Sequence, residues 1–89
     1  MAPELLHIGF GNMVVAGRIL AIVAPDSLPV RRMIREAREQ GMLVEASRGR
    51  KVKSALVMDN GMIVTSALHP STITRRMEQR AEIEGTSDA

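Results

Sequence analysis

The residues of this 89-residue chain best equipped for chemistry are cations, gathered in Arg48-Gly49-Arg50-Lys51-Val52-Lys53. Four of the six carry positive charge, no acid interrupts them, and Gly49 frees the backbone to turn. Lysine and arginine concentrated on one short element suit a phosphate backbone, because each neutralised phosphate releases condensed counterions. The competing reading is a solvated hairpin edge, where lysines discourage strand-to-strand association. Away from this stretch, Arg18 is the only charge between Glu4 and Asp26. It reads either as a solvated strand cap or as a ligand-binding group.

Other chemistries lack their residues. With no cysteine there are no disulfides, thiolate metal sites or thiol redox steps, which fits a reducing cytoplasm. His7 and His69 stand far apart, outside any zinc-binding spacing. Gly9-Phe10-Gly11-Asn12 is glycine-rich but has no Gly-Lys-Ser/Thr behind it. It therefore reads as a turn with positive φ rather than a phosphate loop. No nucleophile elbow and no carboxylate pair set among apolar residues is present. The expectation is a non-enzyme with no cofactor, no metal and no small-molecule substrate.

The formal charge of +2 is unevenly placed. Through Met77 eleven basic residues face six acidic ones, whereas from Glu78 onward four acids face one base. A basic body with a short acidic tail suits a polyanionic partner. Phe10 is the single aromatic residue, so stacking platforms for unpaired bases are lacking and RNA is disfavoured. Met1-Ala2-Pro3-Glu4 has no basic leader region, and no apolar run is long enough to span a membrane. The expected location is the cytoplasm, without membrane contact.

These cations need elements to position them. The chain is short enough for one domain, expected over 1–83, with 84–89 as a polar, disordered tail. Leu5–Ile8 reads as a short strand. Met13–Arg18 leads into Ile19–Val23, whose unbroken apolar run implies cover on both faces. Asp26 or Ser27 can cap a helix with Pro29 in its first turn. Val30, Met33, Ile34 and Ala37 form its apolar stripe and Gly41 ends it. On its outer face Arg32 and Arg35 have acids four residues on, while Arg31 has no local acid. Leu43–Ala46, Lys51–Met58 and Met62–Ala67 read as three further strands, the last two joined by a type I′ turn at Asn60-Gly61. In an extended Arg50–Met58 segment, Lys51 and Lys53 share a face and Arg50 points the other way. Pro70 opens a second helix with a stripe of Ile73, Met77 and Ala81. The fold class is α+β: a small, antiparallel-rich sheet of four to five strands with two helices. Strands apolar on successive residues want a second cover that so short a chain cannot supply, so a homo-oligomer of closed symmetry is expected.

Several runs carry a family resemblance. Ile8-Gly9-Phe10-Gly11-Asn12, Pro25-Asp26-Ser27-Leu28-Pro29 with Arg32-Met33-Ile34, Glu36-Ala37-Arg38 with Gly41-Met42-Leu43, Gly49-Arg50-Lys51 and Val57-Met58-Asp59 resemble the RemA family of bacterial extracellular matrix regulatory proteins. The resemblance spans Ile8 to Arg76. It implies a nucleoid-associated, DNA-binding transcriptional activator of biofilm-matrix and osmoprotection genes, assembled as a ring that carries duplex DNA around its outside. By the same resemblance Arg50 and Lys51 contact DNA, and Arg18 and Pro29 are functionally sensitive. Lys51 stands where arginine is usual, which keeps the charge but loses the planar fork. Gly17 replaces a more common asparagine. Arg48 and Lys53 join the DNA-binding set, with Gly49, Pro29, Arg31 and Arg32 supporting it. The reading from another class is a protein-interaction adaptor whose basic loop meets an acidic partner.

Overall fold

A computed structural model describes residues 4–87 of the chain. Leu5–Gly9 (β1) and Asn12–Val15 (β2) form an antiparallel hairpin. One turn of 3-10 helix, Ala16–Arg18, leads into Ile19–Val23 (β3). There follow Leu28–Glu39 (α1), Leu43–Glu45 (β4), Ser54–Met58 (β5), Ile63–Ser66 (β6) and Pro70–Ser87 (α2). The second sheet has the order β3-β5-β6-β4. Its β3–β5 and β5–β6 pairs are antiparallel and β4–β6 is parallel. The fold is α+β, with two helices and six strands divided between two sheets.

Strand alternation on β5 sends side chains into two separate cores. Ala55 and Val57 pack with Ile63 and with Ile34 and Ala37 of α1, and Val30 and Met33 extend that stripe as expected. Leu56 and Met58 pack instead with Leu6, Ile8 and Val14 of the hairpin and with Ile73 and Met77 of α2. The sheet therefore has a helix on one face and a hairpin plus helix on the other. This corrects the expectation that a second subunit must cover the sheet: the hairpin supplies the missing layer, because residues 5–15 fold back on themselves instead of extending the sheet. The main sheet has four strands, within the four to five expected, and the hairpin adds two more in a sheet of its own. What remains open is the sheet's edges. β3 is an edge strand rather than an enclosed one, and its Leu20 is 70% exposed.

The helix ends follow local chemistry. Ser27 caps α1 by accepting from the Val30 amide, and Pro29 occupies the second helical position. At the other end, the Met42 amide donates to the Ala37 carbonyl and the Gly41 amide to that of Arg38, a Schellman closure. No Arg32–Glu36 or Arg35–Glu39 pair forms among the described residues; Arg38 bonds Glu45 of β4 instead. Arg76 of α2 donates to the His7 carbonyl of β1. α2 continues through Ser87, past Gly85, so residues 84–87, expected as tail, are helical. Residues 88–89 and Met1–Pro3 lie outside the described residues, as do the side chains of Arg80 and Ala81.

The turns differ from expectation in an informative way. At the β5–β6 tip, Met58 accepts from the Gly61 amide and only Gly61 has positive φ, so Asp59–Gly61 is a three-residue loop. The two positive φ values of a type I′ turn occur instead at Phe10 (53°) and Gly11 (76°), between the paired Gly9 and Asn12.

Ser66 ties the hairpin to the sheet. Its buried hydroxyl donates to the Ile8 carbonyl at 2.7 Å and accepts from the Leu68 amide at 3.0 Å. Ser66→Ala leaves both buried backbone groups without that partner and is expected to destabilise the fold by about 1–3 kcal/mol. Urea unfolding of the variant beside wild type measures this; an unchanged midpoint would show that the two groups find other partners.

Candidate nucleic-acid interface

The parallel β4–β6 pair dictates where the basic stretch lies. To travel from edge strand β4 to central strand β5, the chain must pass over the carboxyl end of β6. It is held there by the Ala46 amide on the Thr65 carbonyl and the Lys53 amide on the Ser66 carbonyl. Residues 51–53 form no strand, so β5 starts at Ser54 rather than Lys51 and the strand-face separation of Arg50 from the lysines does not apply. Lys51 and Lys53 line a hollow together with Arg50.

Within the crossing, Arg50 donates its amide to the Ser47 carbonyl at 3.0 Å, closing a turn with Arg48 at φ 53° and Gly49 at φ 76°. A Cβ at Gly49 would meet nothing within 4 Å. Glycine is required there by the backbone conformation and not by crowding. Left-handed φ at a bulky residue such as Arg48 or Phe10 is uncommon, and both occur within this one region.

The two left-handed turns sit side by side. The Asn12 side-chain amide donates to the Gly9 carbonyl of its own turn at 3.1 Å and to the Ala46 carbonyl of the crossing loop at 3.2 Å. The guanidinium carbons of Arg48 and Arg50 lie 6.0 and 5.7 Å from the centre of the Phe10 ring, within cation–π range. Phe10 is 44% exposed and lines the hollow of about 390 Å³ with Arg50, Lys51 and Lys53. Reading Gly9–Asn12 only as a turn missed Phe10 and Asn12 as parts of this surface. The available signal was the lone aromatic residue set between two glycines.

Arg48, Arg50, Lys51 and Lys53 form no ion pair among the described residues. Arg31 joins them: it lines a cleft shared with Lys51 and Lys53 at the same end of the sheet, where β3 finishes and α1 begins. Pro29 stands two residues before it in the first turn of α1, and Arg32 is exposed on that helix. Arg18 is placed elsewhere. It precedes β3, pairs with Asp59 at 3.4 Å beside the β5–β6 tip, and leaves 66% of its side chain exposed. The length of β5, about 17 Å for its five residues, separates this end of the sheet from the basic loop. An exposed pair of this kind contributes about 0–1 kcal/mol, so Asp59 holds Arg18 only weakly.

Among the described residues no helix is long and apolar enough to cross a membrane, and no group of three or more metal-ligating side chains occurs. Comparison with known proteins places the chain in a family. A protein of Synechococcus elongatus is 49% identical over 86 residues, covering 96% of this chain and 99% of its own length. One of Dictyoglomus turgidum is 52% identical over 75 residues, covering 84% and 88% respectively. Another, from Clostridium botulinum, is 42% identical over 88 residues, covering 99% and 97%. All three are named as regulatory proteins. The family model described as RemA-like, extracellular matrix regulatory protein A-like, matches residues 5–77, from the first strand into α2, and the chain belongs to that family.

Proposed function

We propose that this protein regulates transcription by binding duplex DNA, contacting phosphates through the crossing loop of several identical subunits in a closed ring. The observation that carries this reading is the run of Arg48, Arg50, Lys51 and Lys53, unpaired among the described residues and held at one end of the sheet by backbone bonds. Arg50 and Lys51 are the central contacts, Arg48 and Lys53 flank them, and Arg31 extends the surface. Gly49 and Pro29 set the backbone that presents them, with Arg32 beside them on α1. Arg18, at the opposite end of the sheet, acts as a separate contact. The family description names an extracellular matrix regulator, which supports matrix genes as regulated targets; activation, and osmoprotection genes as further targets, are what the family resemblance implies.

One loop engages roughly two phosphates, which alone gives weak, salt-sensitive binding. Repetition around a ring raises affinity through effective concentration. The two open edges of the four-stranded sheet, β3 with exposed Leu20 and β4 with exposed Val44, support head-to-tail association.

The direct test is fluorescence anisotropy with unrelated duplexes across a salt series. Arg50→Ala is expected to weaken binding to all of them by a similar factor, because phosphate contacts carry position rather than sequence. The slope of log affinity against log salt should fall by about 0.9 for each engaged subunit. Lys51→Ala acts in the same direction, and the double variant nearly abolishes binding. A double variant that assembles normally and binds with wild-type affinity and slope would sink the reading. Wild-type protein that ignores duplexes but captures an acidic protein would favour the adaptor instead. Light scattering checks assembly independently: the native mass should be a multiple of the 9.7 kDa chain well above a dimer, and a folded monomer at micromolar concentration contradicts it. Pro29→Ser should lower stability by about 0.5–1 kcal/mol and weaken DNA binding through Arg31; unchanged melting and affinity would remove Pro29 from the support of the site.

A further inference from the structure

The basic end of the sheet holds a second concavity whose chemistry is not that of a DNA path. A cleft of about 400 Å³ lies between the start of α1 and the crossing loop, and Arg31, Lys51 and Lys53 supply its positive charge. The volume is at the lower end of the range for small-molecule sites, about 300–1,000 Å³. Asp26 and His69 also line it. A carboxylate in the wall repels a continuous polyanion, yet Asp26 forms no ion pair with Arg31 or with either lysine. A carboxylate accepts hydrogen bonds, so the ligand groups it suits are donors, a sugar hydroxyl among them.

His69 completes the polar set. Its Nδ1 lies 3.3 Å from the Ser71 amide, which donates to it, and 2.9 Å from the Ser71 hydroxyl. With Nδ1 accepting from the Ser71 amide, the ring's N–H donor falls on Nε2. Pro25 and Val52 contribute apolar surface to the same cleft. Three cations, one donor, one carboxylate and an apolar wall together match a phosphate group, sugar hydroxyls and a planar base.

We propose that this cleft binds a ribonucleotide: Arg31, Lys51 and Lys53 hold its phosphates, Asp26 accepts from the ribose hydroxyls, and the base lies against Pro25 and Val52. The proposal does not depend on DNA binding. It shares Arg31 and the two lysines with the surface proposed above, so a bound nucleotide neutralises all three and competes with DNA where DNA binds.

Calorimetric titration of the full chain, without DNA, tests it with ADP, its 2′-deoxy analogue and inorganic pyrophosphate. ADP should bind one per chain, with the 2′-deoxy analogue about fivefold weaker. Arg31→Ala should weaken ADP and pyrophosphate alike by about tenfold or more. Arg35→Ala removes the same charge from α1 at a residue outside the cleft and should leave both affinities unchanged. Asp26→Ala removes the acceptor and should abolish the preference for ADP over its 2′-deoxy analogue, without weakening pyrophosphate. Three outcomes overturn the proposal: no binding of ADP at millimolar concentration; equal losses from Arg31→Ala and Arg35→Ala, which mean diffuse charge attraction; or an Asp26→Ala variant that keeps the wild-type preference for ADP over its 2′-deoxy analogue. Salt-dependent binding of duplexes is measured separately, so either result can fail while the other stands.

Discussion

The route from β4 to β5 is the constraint on which the rest of this structure depends. A parallel pair at the sheet edge cannot be joined to the next strand by a tight hairpin, so residues 46–53 must run over the end of β6. Two amides of this segment, those of Ala46 and Lys53, bond the last carbonyls of β6. Its charged side chains stay exposed at the end of the sheet. A residue-rich crossing in a core of this size is tolerable only if it is anchored, and the Asn12 amide supplies a third tether from the neighbouring hairpin. Positive charge thus sits on rigid backbone rather than on a swinging loop. Cations held in place lose less conformational entropy on meeting a polyanion than flexible ones.

The left-handed turns at Phe10 and Arg48 belong to the same bargain between strain and placement. Each puts a bulky residue where the backbone prefers glycine, at a cost of about 1 kcal/mol or more. The Asn12 bonds and the stacking of Arg48 and Arg50 near the Phe10 ring offset part of that cost. The exposed aromatic ring near two arginines is easier to understand as a surface kept for contact than as a packing defect, because Phe10 is absent from both buried cores.

Periodicity carried most of the elements. The stripe of α1 and its caps were legible, since Val30, Met33, Ile34 and Ala37 recur at helical spacing between Ser27 and Gly41. The loop cations were legible as a run. The second sheet was not. Residues 5–15 contain a strand, a turn and another strand, but whether that hairpin extends the main sheet or lies across it is decided by tertiary bonds such as Ser66 to Ile8. That misplacement led to the inference that a partner subunit must cover the sheet's second face. Turn type was lost for a related reason: Asn60-Gly61 suits a type I′ turn locally, but the loop closes with three residues and only Gly61 takes positive φ. The meeting of Phe10, Asn12, Arg31 and the basic loop joins residues up to about forty positions apart, and no local pattern encodes it.

The sheet's directions also bear on how copies could assemble. β3 and β4 are its two edges, and both run parallel to β6, since β3 and β6 are each antiparallel to β5. Association of one subunit's β3 edge with the next subunit's β4 edge can therefore keep every sheet pointing the same way. All crossing loops then fall on one rim of the assembly and all Arg18–Asp59 pairs on the other, because strand ends and not strand edges carry them. Growth through the edges leaves the crossing loops uncovered, whereas stacking two subunits loop end to loop end would bury them against like charge. The same topology that anchors the basic loop thus also separates the surface available for self-association from the surface available for a polyanion.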